Sequence, residues 1–123
     1  MALFDTDILI DHLRGIKQAK DTLLKFTYEQ NYISVITAGE ILFGMQKLEE
    51  EKTFALLNAF IELPVDKEII KTAYQIKTRI KTHKLFLYDC IIAATALKYN
   101  QILISRNKKH YPDKRIKLYI PEY

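Results

Sequence analysis

Short apolar segments alternate with longer segments of helical periodicity along the whole chain, and this alternation restricts the fold more than any other feature. Strands are predicted at 2–4, 31–36, 61–65, 101–105 and 116–120. Strands that alternate with helices are joined by right-handed crossovers, which give a parallel sheet with helices on both faces. The sequence therefore predicts a three-layer α/β domain with a mainly parallel sheet of about five strands.

The predicted helices differ in their apolar patterns. A first helix ends near Gly15, and a long helix, 66–82, carries apolar residues on one face and basic residues on the other. The segment 88–97 is apolar nearly all round and rich in small residues, which predicts a central helix packed closely against the sheet. Pro64 favours an edge position for the third strand, because proline cannot donate a hydrogen bond to a neighbouring strand.

A further helix is predicted from Thr37, with Ile41, Met45 and Leu48 on one apolar face. Thr37 and Glu40 match the S/T-x-x-E capping box, in which the Glu side chain bonds back to the start of the helix. Taken alone, this structural role is a full alternative to a functional role for Glu40.

The chain has 123 residues, enough for one globular domain and too few for two, so we expect a single domain over 1–123. Cys90 is the only cysteine, which favours a reducing compartment and makes a cytoplasmic location the expectation. The first residues have no basic segment followed by an apolar one, so no signal peptide is expected. The longest apolar stretch, 85–97, contains Asp89 and is too short to cross a bilayer, so no membrane contact is expected.

The charge is distributed unevenly along the chain. Residues 1–70 carry 7 Lys/Arg and 12 Asp/Glu, whereas residues 71–123 carry 12 Lys/Arg and 3 Asp/Glu. A cationic half suits a polyanionic partner such as nucleic acid, although it is also compatible with a plain solvated surface.

Polar side chains follow several predicted strands, where the binding crevice of an open α/β sheet lies. They are Asp5, Asp7, Glu40, Asp89 and the run Ser105, Arg106 and Asn107. Carboxylates that gather at one place repel each other, so they either take up protons or hold a cation. Oxygen ligands select a hard cation, and Mg²⁺ or Mn²⁺ fits because such ions complete their shell with water and substrate phosphates.

Each acidic residue also has a structural interpretation. Asp89 suits the N-terminal cap of its helix, and Asp5 or Asp7 suits the cap of the first helix. Capping does not require that such residues follow successive strands at the same end of a sheet. Their joint occurrence therefore favours a shared site.

Four blocks of sequence together resemble the PIN-domain family, and most closely its VapC-type toxins. The blocks are 3–10 (LFDTDILI), 33–44 (ISVITAGEILFG), 89–96 (DCIIAATA) and 104–111 (ISRNKKHY). They cover essentially the whole chain in the order and spacing of the family. The resemblance implies a PIN-like fold and a metal-dependent endoribonuclease that is neutralised by a cognate antitoxin and usually forms homodimers.

The resemblance also implies roles for single residues. Asp5, Glu40 and Asp89 match the acidic metal ligands, and Asn107 stands at a fourth position that is often acidic. A neutral amide binds Mg²⁺ less well than a carboxylate, so we expect one metal ion at rest. Asp7 stands where the family usually has Asn. The remaining matches are Thr6 and Ser105, which line the site, and Arg106 with the turn 108–110, which are expected to contact phosphate.

The implied reaction is hydrolysis of an RNA phosphodiester by a metal-activated water, with no protein nucleophile. The basic residues expected to follow the RNA backbone are Lys71, Lys77, Arg79, Lys81 and Lys84. Tyr88 and Tyr111 suit either stacking on unpaired bases or core packing. His110 is expected to be a packing or surface residue.

Two alternatives remain open at this point. An apolar strand ending in Asp5-Thr6-Asp7 also resembles the opening motif of haloacid-dehalogenase-like phosphatases, in which the first Asp is the nucleophile. Those enzymes need a distal acidic pair, and only Asp113 and Glu122 follow Asp89. The second alternative is a module that binds RNA or protein without cleavage, which Asn107 alone suggests.

Overall fold

The computed structural model describes residues 1–26 and 30–123. The strands are β1 (Ala2–Phe4), β2 (Asn31–Ser34), β3 (Ile61–Leu63), β4 (Ile102–Ile104) and β5 (Leu118–Tyr119). The helices are α1 (Thr6–Leu13), α2 (Lys17–Lys25), α3 (Val35–Gly44), α4 (Glu50–Asn58), α5 (Lys67–Arg79) and α6 (Leu87–Lys98). A 3₁₀ turn, Lys108–His110, follows β4.

The five strands form one sheet in the order β3-β2-β1-β4-β5, and every neighbouring pair is parallel. The predicted parallel α/β sheet is confirmed, and so is the edge position of β3. The chain starts at β1, moves outward through β2 to β3, and then returns to build β4 and β5 on the other side of β1. The direction of strand order therefore reverses between β1 and β4.

The strands send alternate side chains to two separate cores, because successive residues of a strand point to opposite faces. Leu3 and Leu103 belong to the core beneath α5 and α6, whereas Phe4 and Ile104 belong to the core that α1, α3 and α4 cover. All four side chains are completely buried. These two cores, on either side of one sheet, are the predicted three layers.

Helix α6 is the central helix, as predicted, and its residues from Asp89 to Ala96 are all buried. It packs mainly against α5, which buries the apolar face formed by Ile69, Ala73 and Ile76. Helix α5 ends at Arg79, so it is shorter than the predicted helix 66–82. Asp66 caps it, since its Oδ1 accepts a hydrogen bond from the backbone N–H of Ile69 at 2.8 Å.

The prediction for the second strand was wrong at its end. Strand β2 ends at Ser34, and α3 follows without a loop because Ser34 Oγ accepts a hydrogen bond from the backbone N–H of Ile36 and caps the helix. Helix α3 then ends at Gly44. Leu48 therefore lies outside the helix, fully exposed and with a positive φ of 77°, and not on the predicted apolar face.

Two other differences concern short elements. Helix α2 was not predicted, because its nine residues include only three apolar ones, as many as its lysines. Strands β3, β4 and β5 are each shorter than the predicted segments, although Ser105 and Lys117, which flank β4 and β5, still make backbone hydrogen bonds between these two strands. Within the residues that the structure describes, no helix has the length and apolar character needed to span a membrane.

Candidate active site

Asp5 and Ser105 lie side by side at the point where the strand order reverses. Asp5 directly follows β1 and Ser105 directly follows β4, and these strands are neighbours in the sheet. Ser105 Oγ donates a hydrogen bond to Asp5 Oδ2 at 2.7 Å. The binding crevice of an open α/β sheet lies at such a position, which is where the sequence predicted a site.

Asp5 is buried and accepts three hydrogen bonds. Its Oδ1 accepts from the backbone N–H of Thr6 at 2.7 Å, and its Oδ2 accepts from Ser105 and from the hydroxyl of Tyr111 at 2.8 Å. Asp5 is also the N-terminal cap of α1, so the structural interpretation of this residue holds together with the functional one. The side chain is only 3% exposed, which fixes the direction of its carboxylate.

Asp7 links the start of α1 to the end of β4. Its Oδ1 accepts from the backbone N–H of Ile8, and its Oδ2 accepts from the backbone N–H of Arg106, each at 2.8 Å. Burial, followed by repulsion from Asp5, raises the pKa of Asp7 to about 7. This carboxyl group therefore keeps its proton to a higher pH than an exposed aspartate does.

Glu40 approaches the site from the middle of α3. Its Oε1 accepts a hydrogen bond at 2.8 Å from the hydroxyl of Thr6, which also lies 3.1 Å from the buried hydroxyl of Thr37. The capping-box interpretation was wrong, because Ser34 caps α3 and Thr37 lies inside the helix. Burial raises the pKa of Glu40, and repulsion from Asp5 adds to this while the hydrogen bond from Thr6 opposes it.

Asp89 is the third residue of α6, whose N-terminal cap is Phe86, so the prediction that Asp89 caps this helix was wrong. Its side chain is 2% exposed, and among the described residues its Oδ2 has no hydrogen-bond partner. Burial raises the pKa of Asp89 to about 6, with repulsion from Asp5 and Glu40 acting in the same direction and His110 acting against both.

The sequence placed His110 in a turn expected to contact phosphate and left Tyr111 open between base stacking and core packing, but their contacts with the acidic residues were not predicted. His110 Nδ1 lies 3.4 Å from Asp89 Oδ2, so this histidine borders the site and is not only a packing or surface residue. The ring of Tyr111 is buried and its hydroxyl bonds to Asp5, which excludes it from stacking on exposed bases. The only sequence signal for either residue is its position in the block that follows β4.

Arg106 and Asn107 continue from Ser105 at the rim. The backbone N–H of Asn107 donates to Ser105 Oγ at 3.0 Å. The guanidinium of Arg106 pairs with Asp11 at 2.9 Å and lies 4.3 Å above the centre of the Tyr123 ring. Arg106 is thus already partly neutralised, which weakens the expectation that its side chain is a free phosphate contact.

The carboxylates of Asp5, Glu40 and Asp89 influence each other electrostatically, since Asp5 raises the pKa of both others. Across residues 1–26 and 30–123, no three His, Cys, Asp or Glu side chains lie close enough together to hold a metal ion in the arrangement that the structure has. The structure brings Asp5 and Glu40 to the same residue, Thr6, and places Asp89 near enough to both for mutual repulsion, and the role of the three as a ligand set stays a prediction.

Comparison with known proteins places nearly the whole chain in one family. The profile of the PIN domain matches residues 2–114. Ribonuclease VapC10 of Mycobacterium tuberculosis is 33% identical over 115 residues, which cover 91% of this chain and 86% of the relative. Ribonuclease VapC1 of Methanocaldococcus jannaschii is 31% identical over 112 residues, which cover 89% of this chain and 77% of the relative.

Solved structures have the same fold. A toxin-antitoxin complex from Klebsiella pneumoniae matches with a TM-score of 0.87 at 34% identity, and 98% of each chain is covered. FitAcB from Neisseria gonorrhoeae matches with a TM-score of 0.82 at 25% identity, again over 98% of each chain. The dehalogenase-like alternative therefore loses its support. The chain belongs to the PIN-domain family, and within that family it is similar to the VapC proteins.

Proposed function

We propose that this protein is a divalent-metal-dependent endoribonuclease that hydrolyses phosphodiester bonds of RNA and is inhibited by a cognate antitoxin. The observation that carries the proposal concerns the side chain of Asp89, which is buried near the carboxyl ends of the strands. One of its oxygens accepts no hydrogen bond from a described residue. A buried carboxylate in this state needs a proton or a cation. The similarity to proteins named ribonuclease VapC supports the same activity.

The chemistry of the residues suits a hard divalent cation, which would draw the carboxylates closer together than they lie in this structure. The three acidic candidates offer carboxylate oxygens, and the mutual repulsion of Asp5, Glu40 and Asp89 would be relieved by a positive charge between them. These three residues would hold Mg²⁺ or Mn²⁺, with Asn107 at the rim. When bound, such an ion polarises the phosphate and lowers the pKa of a bound water.

The neighbouring side chains orient the carboxylates. Ser105 and Tyr111 fix the Oδ2 atom of Asp5, and Thr6 fixes the Oε1 atom of Glu40. Partners that hold ligand residues in one orientation raise metal affinity and activity. His110 lies beside Asp89, where its ring nitrogen is within reach of a proton on this carboxyl group.

The rim of the site suits a phosphate backbone. Lys108 and Lys109 are exposed in the 3₁₀ turn that follows Asn107, and the second half of the chain carries 12 Lys/Arg against 3 Asp/Glu. A cationic surface next to a carboxylate site attracts RNA in a salt-dependent way.

With an RNA substrate and a single buried cysteine, we place the activity in the cytoplasm.

A groove next to Glu40, lined by both apolar and polar side chains, suits the antitoxin. The groove has a volume of about 170 Å³, lies between α1, α3 and the start of α4, and is lined by Leu13, Ile41 and Met45 together with Glu40. A partner that covers this groove would also cover Glu40, which gives a physical reason for inhibition. The similarity to a chain from a toxin-antitoxin complex supports a protein partner of this kind.

The test is cleavage of bulk RNA and purified tRNAs by protein freed of its antitoxin. The reactions contain Mg²⁺, Mn²⁺ or EDTA, and the variant Asp89→Asn is purified in the same way. We expect discrete fragments that require a divalent metal and are lost in the variant. Asp21→Asn, which removes an exposed carboxylate on α2, is the matched control and should cleave normally.

Three other outcomes would contradict the proposal. Fragments that persist in Asp89→Asn would indicate a contaminating nuclease. Cleavage that is unaffected by EDTA would exclude the metal. RNA binding without cleavage in any metal would favour the non-cleaving module that Asn107 suggests.

A further inference from the structure

The segment 120–123, which has no part in the proposed function, contacts Arg106 at the edge of the candidate site. Strand β5 is parallel to β4, so it ends at the same edge of the sheet as this site. The segment continues from there to α1, where the hydroxyl of Tyr123 donates a hydrogen bond to Asp11 Oδ2 at 3.0 Å. The PIN-domain profile matches the chain only as far as residue 114, so Tyr123 lies beyond the matched residues.

Arg106, Asp11 and Tyr123 form a closed cluster, which we call the latch. Arg106 Nη1 donates to Asp11 Oδ2 at 2.9 Å, and Arg106 Nε donates to the backbone oxygen of Tyr123 at 3.1 Å. The guanidinium carbon lies 4.3 Å from the centre of the Tyr123 ring, which adds a cation–π contact. Asp11 is buried, so its charge depends on these donors. The latch thus holds the guanidinium against α1.

The backbone of Arg106 belongs to the acidic site, although its side chain is paired with α1. Its N–H donates to Asp7 Oδ2 at 2.8 Å, and the preceding residue, Ser105, donates to Asp5 Oδ2 at 2.7 Å. The side chain of Arg106 therefore begins beside two carboxylates, and its rotamer carries the positive charge to Asp11 instead.

Open space beside the latch gives the guanidinium room to turn. A cavity of about 450 Å³ is lined by the three latch residues and also by Asp7, Arg14 and Asn107. Because Asp7 and Asn107 belong to the candidate site, this cavity connects the latch with the site. Carboxylates that repel each other, as Asp5 and Asp7 do, attract any positive charge that can reach them.

We propose that Tyr123 is a positioning residue that holds Arg106 on Asp11 and so keeps its guanidinium from occupying the candidate site in place of a divalent cation. The inference rests on the proposed function, because it requires that this site binds a metal ion. An arginine tethered beside several carboxylates competes with a metal at a high effective concentration. An arginine that is already paired and hydrogen-bonded competes much less.

The test measures the affinity for Mn²⁺ alone, from the electron paramagnetic resonance signal of the free ion, with no RNA present. Tyr123→Ala opens the latch without a change of charge. We expect its apparent Kd to be about tenfold higher, as it is when the released guanidinium occupies the site for about nine-tenths of the time. Tyr123→Phe keeps the ring on Arg106 and loses the hydrogen bond to Asp11, so its effect should be smaller.

A second substitution shows whether Arg106 is the competing cation. Arg106→Gln should improve the Mn²⁺ affinity about tenfold more in Tyr123→Ala than in wild type, because only a released guanidinium competes. Arg14→Gln removes the other arginine of the same cavity and is the matched control, with the same small effect in both backgrounds. An equal effect of Arg106→Gln in both backgrounds would overturn the inference, since it would show only the general field of one positive charge.

Tyr99→Ala controls for the loss of a ring. Tyr99 is half-buried like Tyr123, lies at the C-terminal end of α6, and has Lys98 Nζ at 5.5 Å from its ring centre. This variant should bind Mn²⁺ as wild type does. Urea denaturation of every variant checks that the fold is intact. If Tyr123→Ala does not fold, Tyr123→Phe with and without Arg106→Gln decides, because its ring still packs.

The outcomes separate this inference from the proposed function. RNA cleavage with equal Mn²⁺ affinity in all variants would overturn the latch while the ribonuclease proposal stands. Mn²⁺ affinities that respond to Tyr123 and Arg106 as expected would support the latch even if no RNA were cleaved. If wild type binds no Mn²⁺, both the metal dependence and the latch are wrong. Tighter RNA binding by Tyr123→Ala at unchanged Mn²⁺ affinity would identify Arg106 as a phosphate contact and overturn the inference.

Discussion

Asp5 and Asp89 are equally buried, yet the protein treats them in opposite ways. Asp5 accepts three hydrogen bonds, from a backbone N–H, a serine and a tyrosine. Asp89 has an oxygen with no hydrogen bond from a described residue, and only His110 lies near it. Hydrogen bonds within the protein stabilise the charge on Asp5. The carboxyl group of Asp89 lacks them at one oxygen, so it needs either a proton of its own or a positive charge beside it, from a protonated histidine or a cation.

The difference follows from where the two residues lie. Asp5 sits between the ends of β1 and β4, where backbone N–H groups and the side chains of the following loop are available as donors. Asp89 lies in the first turn of α6, a helix whose following residues, such as Ile92 and Ala93, belong to the apolar core, and His110 is the polar side chain beside its Oδ2 atom. The candidate site thus contains one carboxylate, Asp5, whose oxygens all accept hydrogen bonds, and another, Asp89, that needs a proton or a cation.

The largest expected effect on stability comes from neutralising the satisfied carboxylate. Both carboxylate oxygens of Asp5 accept hydrogen bonds, one from a backbone N–H and the other from two hydroxyls. In Asp5→Asn an NH₂ group replaces one of these oxygens, so at least one donor is left opposite another donor. We expect a loss of about 2–3 kcal/mol in the free energy of unfolding. Urea denaturation measures it, with Asp21→Asn as the exposed control, and an unchanged midpoint would contradict the hydrogen-bond account of Asp5.

Asp89→Asn should have the opposite sign. Without metal and above pH 7, we expect this variant to be more stable than wild type by about 1–2 kcal/mol, because a buried charge with no hydrogen bond is removed. Added Mg²⁺ should raise the melting temperature of wild type more than that of the variant, since binding to the native state alone stabilises it. If Asp89→Asn and Asp5→Asn destabilise equally, the contrast between the two carboxylates is wrong.

Much of this contrast could not be predicted from the sequence. That Asp5, Glu40, Asp89 and Ser105 fall at one end of the sheet followed from the order of strands and helices, and the resemblance to PIN domains added the role of metal ligand for Asp5, Glu40 and Asp89. The contacts of His110 with Asp89 and of Tyr111 with Asp5 were not predicted, because they depend on the 3₁₀ turn after β4. A turn of three residues is too short to be predicted from the periodicity of apolar residues.

The end of β2 was mispredicted for a related reason. Ser34 and Thr37 are both good helix caps, and the apolar residues between them suit a strand as well as a helix. In the structure Ser34 is the cap of α3. Thr37 lies inside the helix, where its hydroxyl contacts that of Thr6, and Thr6 in turn donates a hydrogen bond to Glu40. Local sequence thus predicted the elements and their order, while the contacts between elements set the boundaries near the site.

The pH dependence of stability should reveal Asp89 directly. Its pKa rises from an ordinary 3.8 to about 6 in the folded protein, so between these values the native state holds a proton that the unfolded chain has lost. The metal-free protein should therefore lose about 1–2 kcal/mol as pH rises from about 4 to about 6. Asp7, whose pKa rises to about 7, should extend the decline to neutral pH.

Chemical denaturation at a series of pH values measures this decline. Asp89→Asn should show a smaller loss between pH 4 and pH 6 and keep the part due to Asp7. At lower pH, stability should fall for a different reason, because hydrogen bonds from Lys98 and Arg115 hold the pKa values of Asp66 and Asp113 below the ordinary range. A wild-type profile that rises steadily from pH 4 to pH 7 would exclude an uncompensated Asp89.

The smallest effect is expected from one donor of Asp5. Tyr111→Phe removes the hydroxyl that donates to Asp5 Oδ2 and leaves the buried ring in place, while Ser105 still donates to the same oxygen at 2.7 Å. We expect a loss of about 1 kcal/mol in stability and a decrease in cleavage of no more than about tenfold, carried by weaker metal affinity. Titration with Mn²⁺ during cleavage separates affinity from the maximal rate. Because Asp5 keeps two of its three donors, activity should recover at high Mn²⁺, whereas Asp89→Asn should not recover at any concentration; equal behaviour of the two variants would mean that Asp5, too, depends on what is added to the protein.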